Sequence, residues 1–122
     1  SWMAVRPHLV PQLDEAIRAL RQWSSEPSER IRRFTSEVLR PHGVWARHIP
    51  VLKKEPERGL PLLEPLRADS SRYVQDSVAN WVNDASKTQP AWAVELCRRW
   101  QKESPTPATK RIIKRALRSI RP

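Results

Sequence analysis

An apolar stripe at helical spacing recurs along this whole chain, and each copy carries a polar stripe on its back. In SERIRRFTSEVLRP, Ile31, Phe34, Thr35, Val38 and Leu39 fall on one helical face, with Arg30, Arg33, Glu37 and Arg40 opposite. In SRYVQDSVANWVNDASK, Val74, Val78, Trp81, Val82 and Ala85 make the apolar face, and Asp76, Asn80, Asn83, Asp84 and Lys87 the polar one. This is the period of an amphipathic helix, and no alternating strand pattern competes with it. The chain is therefore expected to be all-α.

Punctuation supports the same reading. The 12 prolines sit mostly at the edges of periodic segments, where a proline starts or stops a helix. The spacing predicts helices over 11–24, from a cap at Ser28 through Arg40, and over 60–68, the last shortened or kinked by Pro65. A short segment is expected around 46–54. Further helices are expected from a cap at Ser70 or Ser71 through Lys87, from Pro90 through Trp100, and from Thr106 to Ile120.

These helices pair. Helix, polar turn, helix recurs at about 10–40, 57–87 and 90–120, and the core positions Ile31, Val74 and Ile113 lie 43 and 39 residues apart. Spacings near 40 belong to HEAT-like α-solenoids, whose units must stack to bury their apolar faces. The expected architecture is one HEAT-like domain of about three helix pairs, a right-handed superhelix with a basic concave face. An ordinary helical bundle is the alternative. The chain opens abruptly at SWMAVRP without a capping segment. That is expected of a fragment, or of a protein that has lost its first repeats.

Composition narrows the partners. Lys and Arg number 23 against 13 Asp and Glu, a net charge of +10 and a pI near 11.0. Such a balance points to nucleic acid first and an anionic membrane surface second, against a merely solvated basic surface. No long uncharged apolar run and no signal peptide is visible. With 2 glycines there is no phosphate-cradling loop. The one cysteine, Cys97, lies in an apolar-periodic helix, reads as core filler and favours a reducing compartment. His8, His42 and His48 are scattered without a ligand pattern, so neither metal nor cofactor is expected.

Several residues invite chemistry. The last helix carries Lys110, Arg111, Lys114, Arg115, Arg118 and Arg121 around an inner face of Ile112, Ile113, Ala116, Leu117 and Ile120. Like charges at this spacing repel, and a phosphate backbone turns that cost into a gain. Trp23, Trp81, Trp92 and Trp100 fall at core spacing. Trp45 does not: it sits in the loop PHGVWARH between His42 and Arg47, free either to lie against a sugar or base or to be buried under the loop. Glu37 and Asp84 place acids in the two polar stripes. Their bland alternatives are a surface pair of Glu37 with Arg33, worth ~0–1 kcal/mol, and a solvated Asp84 beside Lys87.

The segments SWMAVRPHL, SERIRRFTSEVLRPHGVWA, YVQDSVANWVNDASKTQPAWAVELCRRW and TPATKRIIKRALRSI resemble the AlkC branch of the AlkC/AlkD-like DNA alkylation-repair glycosylases. The resemblance covers essentially the whole chain and looks like the C-terminal part of such a protein. SVANWVNDASK, followed by a tryptophan-ended helix and a basic terminal helix, is its specific part. It implies a HEAT-like solenoid gripping duplex DNA and releasing cationic N-alkylated purines such as 3-methyladenine. It also implies that Glu37 and Asp84 are active-site carboxylates and Trp45 the active-site aromatic. Within that frame a basic stripe of Arg30, Arg33, Arg40, Lys87, Lys110, Lys114 and Arg118, with Arg6 and Arg47, would hold phosphates. Asn80 and Asn83 would orient the acid or a water. The chain departs from the family at Trp2, where an acid is expected, and at Asp76, where a basic residue is expected. Three functions follow: a glycosylase of this type, a non-catalytic DNA-binding solenoid, or a solenoid that holds an acidic peptide. Double-stranded DNA is the expected partner of a monomeric, cytoplasmic, nucleoid-associated protein.

Overall fold

The computed structural model describes residues 2–42 and 48–120, with the backbone alone for residues 2–5 and 10. Among the described residues there is no strand. Eight α-helices follow one another: α1 (Trp2–Leu9), α2 (Leu13–Arg21), α3 (Glu29–Glu37), α4 (Pro50–Lys54), α5 (Leu60–Leu63), α6 (Arg72–Ser86), α7 (Pro90–Glu103) and α8 (Pro107–Ala116). Short 3-10 turns occupy Val10–Gln12, Pro56–Gly59 and Glu64–Leu66.

Local chemistry sets the starts of these helices. Ser28 Oγ accepts from the Ile31 amide at 3.4 Å, Ser71 Oγ from Val74 at 3.4 Å, and Thr106 Oγ1 from Thr109 at 3.1 Å. Each satisfies an amide that the first turn leaves without a partner. Pro50, Pro90 and Pro107 occupy first helical positions, where a missing N–H costs nothing. Pro65 does what its missing donor requires: α5 stops at Leu63 and the chain tightens into a 3-10 turn.

The helices form two layers. α3, α6 and α8 lie side by side, with α6 central and packed on both neighbours. α2, the α5 segment and α7 form the second layer. α2 packs on α5, and the α5 segment is tied to α7 by Glu64, which accepts from Arg99 Nη2 at 2.6 Å and from Trp100 Nε1 at 2.8 Å. The core between the layers holds Leu39, Leu62, Leu63, Leu66, Val74, Val78, Trp81, Trp100 and Ile112, all fully buried. Gly59 is required at its place because a Cβ there would overlap the Trp81 indole. Cys97 is buried, and burial pushes its thiol up to about 12, as befits core filler. The architecture is all-α and HEAT-like.

Some expectations fail at the edges. α3 ends at Glu37, and Val38–Arg40 continue as a turn closed by the Arg40 amide donating to the Glu37 carbonyl. The last helix ends at Ala116, short of Ile120. α1 was not expected, because Pro7 lies inside it. Trp23 and Ile31, expected in the core, are 48% and 39% exposed. Trp23 follows the end of α2, where its ring meets Phe34 at 6.2 Å between centroids, and the opposing layer does not reach over it.

Candidate functional site

Glu37 closes α3, Arg40 follows one turn later, and Asp84 lies near the end of α6. The packing of α3 on α6 brings the three together. Arg40 donates from Nε to Asp84 Oδ2 at 2.9 Å, from Nη2 to Asp84 Oδ1 at 3.2 Å, and from Nη1 to Glu37 Oε2 at 3.0 Å. Ser77 Oγ, two turns before Asp84 on α6, donates to Glu37 Oε1 at 2.8 Å and lies 2.8 Å from Ser36 Oγ. The His42 amide reaches Asp84 Oδ2 at 3.3 Å. Exposure is 8% for Glu37, 8% for Arg40 and 2% for Asp84. Charges this deep persist only when paired and hydrogen-bonded, and here each carboxylate oxygen has a donor. Burial alone would push the Arg40 guanidinium down. The hydrogen bonds and charge of Asp84, then of Glu37, outweigh it and hold the group above its ordinary value.

Arg6, from α1, stands behind this clasp. It is buried and donates to the Val38 carbonyl at 2.9 Å and the Arg40 carbonyl at 2.7 Å, the chain just past α3. A cation there also suits the negative end of the helix dipole. Arg33 approaches Glu37 Oε1 at 3.6 Å, so the i,i+4 pair exists, and its guanidinium lies 4.2 Å over the Tyr73 ring.

The cations of the described residues on or just past α3, α6 and α8 differ in what they meet. Arg30, Lys87, Lys110 and Lys114 are exposed. Arg118 is exposed too and donates from Nη2 to Asn80 Oδ1 at 3.0 Å. Arg111 and Arg115 turn to Asp76, at 2.8 Å and 3.2 Å, so the acid found where a basic residue was expected holds α8 to α6.

Three expected DNA contacts need correction. Arg6 and Arg40 are buried in the internal bonds just described, because the carbonyls past α3 and two buried carboxylates need their donors more than solvent does. Asn83, at 3% exposure, donates to the Ala116 carbonyl at 3.1 Å and lies 3.0 Å from Ser119 Oγ. It caps the end of α8 instead of orienting the acid. Asp84 is not solvated beside Lys87. Trp45 and Arg47 lie outside the described residues. Ser36 and Ser77 were missed. The signal for Ser77 was its seven-residue offset from Asp84, which places both on one stripe of α6. Among the described residues no group of three His, Cys, Asp or Glu could hold a metal, and no helix is long and apolar enough to cross a membrane.

The class the fold defines is an all-α, HEAT-like layer, here with two buried carboxylates joined through one guanidinium. No family model matches the sequence. The protein YhaZ of Bacillus subtilis (strain 168), described as uncharacterized, is 42% identical over 120 residues, 98% of this chain and 33% of its own length. The structure of Pseudomonas fluorescens alkylpurine DNA glycosylase AlkC bound to DNA containing an abasic site analog superposes with a TM-score of 0.88 at 35% identity. It too covers 98% of this chain and 33% of its own. The resemblance to the AlkC branch therefore stands in both sequence and fold, and the chain spans about a third of the length of the proteins it matches.

Proposed function

We propose that this chain forms part of a DNA alkylation-repair glycosylase that hydrolyses the N-glycosidic bond of cationic N-alkylated purines, of the 3-methyladenine type, in duplex DNA. The observation that carries the reading is the convergence of Glu37 and Asp84 on Arg40, within a fold shared with a glycosylase solved on DNA.

A cationic alkylpurine is already a good leaving group and needs no strong general acid. The C1′–N bond breaks, the base departs neutral with the electron pair, and positive charge develops on the sugar, as in glycoside hydrolysis. A water then bonds to C1′ and gives its proton to a carboxylate or to solvent. Fixed carboxylates stabilise the sugar cation and orient that water. Glu37 Oε2 and Asp84 Oδ1 each accept a single side-chain hydrogen bond from Arg40, which leaves each oxygen room for a water. Arg40 and Ser77 fix the acids; Arg30, Arg33, Lys87, Lys110, Lys114 and Arg118 hold phosphates without reading sequence. Trp45 is the aromatic beside the sugar. The unit that does this is one HEAT-like domain with repeats at about 10–40, 57–87 and 90–120, acting as a monomer on double-stranded DNA in the cytoplasm, with neither cofactor nor metal.

The test is base release from methylated duplex DNA. Glu37→Gln and Asp84→Asn each lower release by about 10²-fold or more while duplex affinity stays; full release from both variants sinks the assignment. A second reading, a DNA-binding solenoid without chemistry, is favoured by two observations: both Asp84 oxygens are already engaged by Arg40, and Trp2 stands at a position where the family resemblance expects an acid. It predicts salt-dependent duplex binding with no release, and a gain of release in Trp2→Glu would decide for a damaged enzyme.

A further inference from the structure

Basic groups gather where the end of α4 meets the turn between α6 and α7. Thr88 Oγ1 donates to the Lys53 carbonyl at 2.6 Å and Gln89 Nε2 to the Lys54 carbonyl at 3.1 Å, so the two segments are tied together. They line a shallow, open depression of about 300 Å³ formed by Pro50, Lys53, Lys54, Thr88 and Gln89. Lys53 Nζ lies 3.3 Å from His48 Nδ1, and the His48 ring rests against His42 at 4.0 Å between centroids. Lys87, next to Thr88, is exposed, and its charge bears on His42 together with those of Lys53 and His48.

The acid that faces this cluster is already committed. Asp84 faces His42, but Arg40 holds both its oxygens. Glu55 and Glu57, next along the chain, are exposed, while Arg58 beside them pairs with Asp14 at 2.8 Å. His42 Nε2 is buried without a partner. Cations gathered this closely repel one another, and an oxyanion set among them reverses the sign of every pair. Burial first, then His48 and Lys53, hold the His42 imidazole below its ordinary range.

We propose that Lys53, Lys87 and His48, backed by His42, form a phosphate-oxyanion site that seats a backbone phosphodiester of DNA beside the Glu37–Asp84 clasp. The proposal deepens the DNA-binding part of the function above and rests on it, but it needs no chemistry. A phosphodiester favours a protonated His42, so duplex affinity rises as pH falls through the titration of that group, beyond what the lysines alone supply.

The test follows the His42 and His48 imidazole and the Thr88 and Gln89 amide resonances against inorganic phosphate, and separately against a short duplex, at matched ionic strength. Saturable shifts with the duplex, with or without shifts in phosphate, are expected. The His42 titration midpoint should move upward when the duplex is bound. Lys53→Gln should reduce the slope of log affinity against log salt by about 1, the loss of one phosphate contact. Shifts with phosphate alone would mean a free-ion site and overturn the assignment to DNA. No shift with either, or an unchanged salt slope, overturns it outright. Shifts without base release would sink the glycosylase reading and leave this site standing.

Discussion

Arg40 spends Nε, Nη1 and Nη2 on two carboxylates from different helices, and few side chains could replace it. Removing it leaves two buried anions facing each other, so Arg40→Met should cost about 3–5 kcal/mol in chemical denaturation. Arg40→Lys should recover only part of that, because an ammonium cannot present a planar fork to Asp84 while reaching Glu37. A loss in the range of an exposed pair, ~0–1 kcal/mol, would show that the clasp does not exist in solution. His42 supplies the pH dependence at this scale. Its folded value is lowered, by burial first and by neighbouring cations second, so the unfolded chain binds the proton more readily. Stability from this group is full above the ordinary histidine value of 6.5 and is lost as pH falls through the lower folded value. Denaturation midpoints in wild type should fall across that window, and His42→Gln should flatten the fall. An unchanged slope would remove His42 from the account.

Among the elements, α6 carries the most. It packs on α3, α7 and α8, and it supplies Ser77, Asn80, Asn83 and Asp84 from successive turns of one helix. Its entry is fixed by Ser71, whose hydroxyl caps the first turn and also donates to Glu29 at the start of α3. Caps of this kind are legible because they depend on neighbours within a few residues. That is why Ser28, Ser70 or Ser71, and Thr106 could be picked from the sequence, whereas α1, which carries Pro7, could not. The Gly59 contact was invisible in the same way, since it requires knowing that Trp81 crosses the backbone there. Gly59→Ala forces the indole or the 56–59 turn to move and should cost about 1–3 kcal/mol, measured by thermal or urea unfolding. A neutral or stabilising result would mean that this turn gives way freely.

For the whole molecule, charge and layering act together. The net charge of +10 is not spread evenly. Arg32, Arg67, Arg99, Arg111 and Arg115 are paired with acids, whereas Arg30, Lys87, Lys110 and Lys114 remain exposed for an anion. Duplex affinity should therefore fall steeply with salt. Six phosphate contacts would give a log–log slope of about −5, and Lys110→Gln with Lys114→Gln should reduce its magnitude by about 2. Affinity indifferent to salt would favour a peptide-binding solenoid instead.

The sequence by itself determined the helical class and most helix starts, because apolar period, caps and prolines are local or simply repetitive. It also singled out Glu37 and Asp84, through their place in two similar polar stripes. Only the tertiary structure decided which polar residues on those stripes face water. Arg6, Arg40 and Asn83 look like Arg30 or Lys87 along the chain, since a polar stripe reads the same whether it meets solvent or a neighbouring helix. Packing α3 against α6 turned Arg40 inward, because two carboxylates buried by that contact could keep their charge only with a guanidinium between them.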